Sequence, residues 1–219
     1  MTRTTTSRRH RPVTRLRAGL LAVAAGLAVT LTACGGGDSD TPADQTESVD
    51  VNAAPTDVHW STVGGIKVPT ADQGPSDKGE HGSVSGFDHT PVGAGLAAMN
   101  QPTRAAVAPE GDWSEAAAAG IASGPGRDIY LNNRAGVKAT GKTADEFTPT
   151  LQGWRITDYA ADAADVEVYS SYSDDSKSVT TYRMVWTAGD WKVELPADGQ
   201  GSVKSVDSYP DDMVKVTSK

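Results

Sequence analysis

The hydrophobic pattern of this chain changes its period once, and that change restricts the fold more than any other feature. After Thr90-Pro91, residues recur at the spacing of one helix face: Val92, Leu96, Met99, Thr103 and Val107. From Leu151 onward, apolar residues alternate with polar ones, which is the period of a half-buried strand. Helices followed by an antiparallel β-meander form an α+β domain, in which we expect the N-terminal helices to pack on the C-terminal sheet.

Capping and breaking residues divide the helical region. Thr90 supplies an N-cap and Pro91 a favoured first helical residue, whereas Pro102 predicts a kink or a break. The other predicted pieces are a helix opened by the capping-box pattern at 112–115, a helix over 127–134 that ends before Gly136, and one turn at 143–146.

Four strands are predicted in the second half of the chain: 152–160, 165–173, 178–187 and 191–195. Their connectors have hairpin lengths, and Asp174-Asp175 is interpreted as turn chemistry. The chain holds five Trp and only two Phe. We therefore assign Trp154, Trp186 and Trp191 to the core of the domain.

The first 33 residues have the form of a bacterial export signal. Six arginines and no acidic residue precede an apolar run over 18–33, which is short for a membrane span of about 20 residues. The run ends at Leu31-Thr32-Ala33-Cys34, which resembles the bacterial lipobox. That resemblance implies that the Cys34 thiolate takes a diacylglyceryl group and becomes the first residue after cleavage. A signal that is cut elsewhere is the alternative, and Arg8-Arg9 leaves twin-arginine export open.

Composition suggests the organisation of the remaining chain. Residues 35–57 are rich in Gly, Asp, Ser, Thr and Pro, so they predict a disordered linker. The expected divisions are a signal peptide (1–33), an acylated Cys with its linker (34–57), an extended segment laid over the domain surface (58–90), an α+β domain (91–197) and a polar tail (198–219).

Removal of the signal makes the protein more acidic. Six of the 20 basic residues precede Cys34 and all 28 acidic residues follow it, so the net charge falls from −8 to −14. This balance argues against nucleic-acid binding, and it leaves the acyl chains to supply the affinity for a membrane. The single Cys excludes an internal disulfide framework, a Cys-rich zinc module and an iron–sulfur cluster.

The strand region resembles the nuclear-transport-factor-2-like superfamily, whose fold is a cone-shaped α+β roll. The residues that carry the resemblance are Trp154 and the segments 165–169, 181–186 and 189–192. The stretch from His59-Trp60 to the GFDHTPVGA motif at 86–94 is similar to uncharacterised actinobacterial proteins, many of them from mobile or conjugative elements. This setting implies a likeness to assembly subunits of type IV secretion systems. The roll hosts enzymes, carriers and scaffolds, so the resemblance implies a fold without an activity.

Several short motifs match catalytic or metal-binding patterns by residue type, but the surrounding sequence does not support those functions. Residues 93–98 fit the dinucleotide fingerprint by letter but lack the preceding strand and the surrounding βαβ unit. Asp88 and His89 lie near Ser83 and Ser85, but adjacent side chains of an extended chain point apart and cannot form a relay. We expect His89 to bond to nearby backbone instead. The possible metal ligands match no zinc spacing: Glu80, His81, Asp88 and His89. We expect neither a cofactor nor a metal.

Two sets of residues are candidates for function. Enzymes of the roll place a carboxylate or a tyrosine inside the cone, but strand parity alone does not identify the interior face; the residues in question are Asp158, Tyr159, Glu167 and Tyr182. Exposed acids and core aromatics are the simpler interpretation. Trp60 and Trp113 are the candidate contacts for a protein partner.

These observations favour a lipid-anchored protein on the extracytoplasmic face of the cell membrane, without catalytic activity. It would act as an interaction or assembly module with a protein partner, and a conjugation-type membrane complex is the most specific version. The alternative is a small-molecule-binding protein or an enzyme that uses the pocket of the cone. An apolar cavity with one or two carboxylates would favour the alternative, and a filled cone would favour the module.

We predict that Cys34→Ser releases the protein from membranes, because the thiol is the only acylation site in the chain. The measurement is the distribution of the protein between membrane and soluble fractions of the expressing bacterium. Wild-type protein in the same host is the control. A membrane fraction unchanged by the substitution would contradict lipidation.

Overall fold

The computed structural model describes residues 49–138, 141–144 and 147–216. The predicted signal peptide, Cys34 and the linker up to residue 48 lie outside the described residues. The helices are α1 (Pro91–Val107), α2 (Trp113–Gly120) and α3 (Pro125–Ala135). The strands are β1 (His59–Val63), β2 (Ile66–Thr70), β3 (Asp77–Lys78), β4 (Val84–Ser85), β5 (Thr150–Ala160), β6 (Ala163–Ser171), β7 (Lys177–Thr187), β8 (Asp190–Glu194), β9 (Ser202–Ser205) and β10 (Val214–Lys215).

The domain is α+β, as predicted. Its main sheet has six strands in the order β10-β5-β6-β7-β8, and β9 pairs with β7 beside β8. All named strand pairs of this sheet are antiparallel. The four predicted strands correspond to β5–β8, with boundaries that shift by at most two residues. The β6–β7 turn has the expected chemistry, because the Asp174 carboxylate accepts the backbone N–H of Ser176 at 3.0 Å.

Helix α1 begins as predicted but does not break. The Thr90 hydroxyl accepts the backbone N–H of Gly93 at 3.1 Å, which is the expected N-cap. A break at Pro102 is excluded because the helix continues to Val107, and the kink stays a prediction. Side chains just before Pro102 fix the helix to the strands around it, since the Asn100 amide donates to the Pro69 carbonyl at 2.8 Å. Burial on both sides of the proline outweighs the lost backbone hydrogen bond.

Small residues let α1 approach the sheet closely. Gly95 faces the ring of Trp154, and both Trp154 and Trp191 are fully buried. The assignment of these two indoles to the core is therefore confirmed. Trp186 is partly buried and packs against the core cluster from its rim, where it stacks on His89 with ring centroids 3.9 Å apart.

Residues 58–90 contribute side chains to the core and do not only lie over its surface. They form two antiparallel hairpins, β1–β2 and β3–β4. Their apolar side chains join the cluster that α1 forms with the sheet: Ile66, Val68, Val84 and Phe87. A sequence of isolated apolar residues among Gly and Pro thus conceals two short hairpins that complete the core.

Both predicted polar extensions are structured in part. The tail from 198 onward supplies β9 and β10, and Val214 and Val216 are buried against the sheet. At the other end, Val51 and Ala53 of the expected linker pack against the core cluster. The polar tail is thus partly ordered over residues 198–216. The prediction that residues 49–57 are disordered is wrong, because Val51 and Ala53 pack against the core cluster.

We predict that Gly95→Ala destabilises the fold by about 1–3 kcal/mol, because the new Cβ would lie 2.2 Å from Cε2 of the Trp154 ring. The matched control is Gly136→Ala, whose Cβ would meet only the Asn133 carbonyl oxygen, at 3.8 Å. Thermal or urea unfolding measures both. Equal stability of the two variants would contradict the close contact between α1 and the sheet.

Candidate functional site

A groove of about 520 Å³ runs along strand β1 and is called the β1 groove here. One wall is β1 itself, and the opposite wall comes from β3, β4 and the 3-10 turn between them. Arg104 of α1 contributes to it from the helix layer. The lining residues are 59–63, Thr70, Pro75, Lys78, Gly79, 82–84 and Arg104.

Strand β1 presents unpaired backbone groups to this groove. A two-residue turn at Gly64 and Gly65, both at positive φ, joins β1 to β2. In such a hairpin the flanking residues exchange hydrogen bonds, and every second pair does the same. His59, Ser61 and Val63 therefore bond to β2, and the N–H and C=O groups of Trp60 and Thr62 point the other way.

Proline at position 69 agrees with this pattern. Pro69 stands opposite Trp60, at a pair that needs no N–H donor from β2. No backbone group among the described residues hydrogen-bonds to Trp60 or Thr62 from the groove side. The groove wall is thus a free strand edge about 17 Å long, from five residues at about 3.3 Å each.

The charges that line the groove are positive. Lys78 and Arg104 are the two cations of the lining. A carboxylate beside the lining is already engaged with it, since that of Glu115 lies 3.2 Å from the Ser83 hydroxyl. His59 also lines the groove, 3.3 Å from the exposed Asp57. This is an unusual local excess in a chain with 28 acidic and 20 basic residues.

Arg104 is the buried member of this set, with 7% of its surface exposed. Its Nη1 donates to the Gly82 carbonyl at 2.7 Å, and its Nε donates to the Asn100 side-chain oxygen at 3.3 Å. Burial lowers the pKa of the guanidinium. These neutral partners hold the side chain in place without supplying a negative charge.

The two predicted contact tryptophans have different surroundings. Trp60 is partly buried and lines the β1 groove. Trp113 lies at the start of α2, where the Arg134 guanidinium sits 5.8 Å from its ring centroid. An internal cation–π contact thus engages the Trp113 ring, whereas Trp60 packs against the core cluster and borders the β1 groove.

Asp190 fixes the position of the groove wall, and the sequence offered no direct signal for this role beyond a Gly-Asp-Trp turn. Its carboxylate is 6% exposed and accepts the backbone N–H groups of Gly86 and Phe87, each at 3.1 Å. It also accepts the N–H of Trp191 at 2.8 Å. Burial raises the pKa of this carboxyl, and the three N–H donors oppose that shift.

The residues weighed as a catalytic triad engage separate partners. His89 hydrogen-bonds to the carbonyl of Ala161 in the β5–β6 turn and stacks on Trp186. His89 therefore bonds to backbone, as expected, but the carbonyl belongs to a turn 72 residues later in the chain and not to the adjoining loop. The Ser83 hydroxyl lies 2.9 Å from the Glu80 carbonyl and 3.2 Å from the Glu115 carboxylate.

The register of the main sheet shows on which of its two faces each candidate for a cone interior lies; the candidates are Asp158, Tyr159, Glu167 and Tyr182. Tyr159 pairs with Ala164 and Tyr182 with Val166, so both tyrosines share the face that packs on the helices. Burial raises the pKa of Tyr159, and that of Tyr182 to about 12. Asp158 and Glu167 lie on the opposite face.

On that opposite face, Glu167 is not the exposed acid that was expected. Its carboxylate accepts two hydrogen bonds from Arg155, at 2.8 and 3.1 Å, and one from the Tyr169 hydroxyl at 2.6 Å. Burial and this carboxylate raise the pKa of Tyr169 to about 12. Asp158 is exposed, 3.8 Å from Arg183.

Two further cavities lie beside α3. One of about 380 Å³ is mostly apolar and is lined by Ile129, Tyr130 and Leu195, among others. The other, of about 700 Å³, includes Arg127, Asp165, Tyr182 and Glu194. The Nε of Arg127 is buried without a hydrogen-bond partner among the described residues.

The small residues of the apparent dinucleotide motif lie where they were expected. Residues 93–98 lie in the first turns of α1, as expected for small residues at a helix–sheet contact. Among the described side chains, no group of three or more His, Cys, Asp or Glu is arranged to hold a metal ion. Within the same residues, no helix is long and apolar enough to cross a membrane.

We predict that Glu167→Gln lowers the free energy of unfolding by about 1 kcal/mol, because Arg155 and Tyr169 lose a charged acceptor. Asp158→Asn is the matched control on the same face and should change stability by less than about 0.5 kcal/mol, since its side chain is 71% exposed. Urea unfolding at pH 7 measures both. A neutral Glu167→Gln would contradict the structural role of this carboxylate.

Comparison with known proteins identifies a family without assigning a role. The family model described as a domain of unknown function (DUF8175) matches residues 22–212. No curated protein and no solved structure matches the chain. Because the match spans more than half of the sequence, the chain belongs to the DUF8175 family.

Proposed function

We propose that the protein is a lipid-anchored interaction module on the extracytoplasmic face of the cell membrane, and that the β1 groove is its binding surface. The observation that carries the proposal is the free edge of β1, which lies in a groove lined by two cations, Lys78 and Arg104. Trp60 lines the same groove. Such a surface binds a protein segment without performing chemistry on it.

Cys34 provides the proposed anchor. It is the only cysteine in the chain, and it follows a signal-like apolar run at the position where lipidation requires it. Two acyl chains would bind a bilayer stably at about 0.8 kcal/mol per buried CH₂, even for an acidic protein. Residues 35–48 would then tether the domain close to the membrane.

The architecture supports the further proposal of a roll like that of nuclear-transport-factor-2. Among the described residues, three helices precede an antiparallel β-meander, and this order of elements agrees with such a roll. The space between α1 and the sheet holds Trp154, Trp191, Leu96, Met99 and Met184, all fully buried. A filled interior supports the assembly module over an open cone, with conjugation-type membrane complexes as its most specific setting.

The alternative is a small-molecule-binding protein or an enzyme, and the cavity of about 700 Å³ beside α3 is the observation that favours it. Its lining mixes Asp165 and Glu194 with Arg127 and Arg183. Asp165 accepts a hydrogen bond from Arg183 at 3.0 Å, so that carboxylate is engaged in an ion pair. The two carboxylates considered for a cone interior, Asp158 and Glu167, lie on the other face of the sheet. The geometry therefore supports the module better.

We predict that Trp60→Ala reduces recovery of a cross-linked partner from membranes by about tenfold, because a tryptophan anchor contributes roughly 2 kcal/mol to an interface. The lipidated protein is isolated from its own host, and partners are quantified by mass spectrometry. Val203→Ala is the control, because Val203 is an exposed apolar residue on β9 outside the groove. Equal recovery with the two variants would contradict a binding role for the β1 groove.

A further inference from the structure

We infer that the β1 groove receives an extended acidic segment of a partner protein, which adds as a strand to the free edge of β1. This inference rests on the proposed interaction function and specifies the chemistry of the partner. Its elements are the unpaired backbone groups of Trp60 and Thr62 and the cations at Lys78 and Arg104.

The backbone geometry selects an extended ligand. Trp60 and Thr62 each direct one N–H and one C=O group away from β2 along the outer edge of β1, a repeat of two residues that only another strand matches along its length. A strand of five to seven residues would span the edge. A helix satisfies its own backbone groups and would leave this edge unpaired.

The charge of the groove selects acidic side chains. Arg104 is a buried cation whose partners are a carbonyl and an amide oxygen, and Lys78 faces the groove from the opposite wall. A buried charge gains most from an opposite charge that enters the same low-dielectric space. Acidic residues at every second position of an added strand would all face the same way, toward these cations.

The same charges disfavour the other occupants. A second copy of this chain would bring a surface of net negative charge but also its own Lys78 and Arg104 to a symmetric edge-to-edge contact. Like charges would then meet in the groove, which is destabilising. A basic segment would meet the same repulsion.

The test uses the full-length protein in detergent and two synthetic peptides with blocked ends. One seven-residue peptide alternates valine with glutamate, and the other alternates valine with lysine. Calorimetric titration at low salt should show binding of the glutamate peptide and none of the lysine peptide. Higher salt should weaken the binding, because part of the attraction is between partly exposed charges.

Two matched pairs of variants separate the charge from the strand edge. Lys78→Glu should weaken binding of the glutamate peptide at least tenfold. Lys67→Glu makes the same change in net charge on β2 outside the groove lining and should change it less than about threefold. Thr62→Pro removes an N–H from the free edge and should also weaken binding at least tenfold. Thr62→Ala truncates the side chain but retains that N–H, so it should weaken binding less than Thr62→Pro does.

Each alternative outcome decides the matter. Absence of binding at about 1 mM glutamate peptide, equal binding of the lysine peptide, or indifference to both Lys78→Glu and Thr62→Pro would overturn the acidic strand. If these peptide results fail while partner recovery depends on Trp60, the interaction function stands and only the partner chemistry is wrong. If the peptide binds as expected and no partner is recovered, the proposed function fails and the groove chemistry stands.

Discussion

The buried carboxylate of Asp190 is the interaction on which the described architecture depends. A buried charge is tolerated only when hydrogen bonds replace its water, and three backbone N–H groups do so here. Two of them belong to Gly86 and Phe87, more than a hundred residues earlier in the chain. Asp190 therefore joins the segment before α1 to the last hairpin of the sheet. The indole of Trp191 adds a second link, since its Nε1 donates to the Asp88 carbonyl at 2.9 Å.

The β1 groove exists because this junction holds its far wall in place. Gly86 and Phe87 directly follow β4, which pairs with β3 and carries Val84 into the core. Arg104 then bridges from α1 to the Gly82 carbonyl on the same wall. On the near side, the buried β2 carries β1 as an outer strand. The groove therefore has two supports. Packing of β2 in the core holds β1, and hydrogen bonds from Asp190 and Arg104 hold the wall that contains β3 and β4.

Regular patterns made the sheet and the helices predictable from the sequence. Alternation over 152–195 identified four strands, and Thr90-Pro91 identified the start of α1, because these signals are local. Contacts between residues far apart in the chain determine the features that the sequence did not predict. The continuation of α1 through Pro102 depends on burial, and the strand at Val214 depends on an edge of β5 that no local pattern reveals. Trp60 stays a candidate partner contact that borders the β1 groove, and only the register of β1 with β2 identifies the free edge beside it.

The central claim is that Trp60 and Thr62 form an open edge that an acidic strand can occupy, and amide hydrogen exchange tests it most directly. In the free protein, the amides of Ser61 and Val63 should be protected by β2, whereas those of Trp60 and Thr62 should exchange rapidly. Addition of the glutamate peptide should protect Trp60 and Thr62 and leave Ser61 and Val63 unchanged. Slow exchange of Trp60 and Thr62 in the free protein, or no gain in protection when the peptide is bound, would contradict the account.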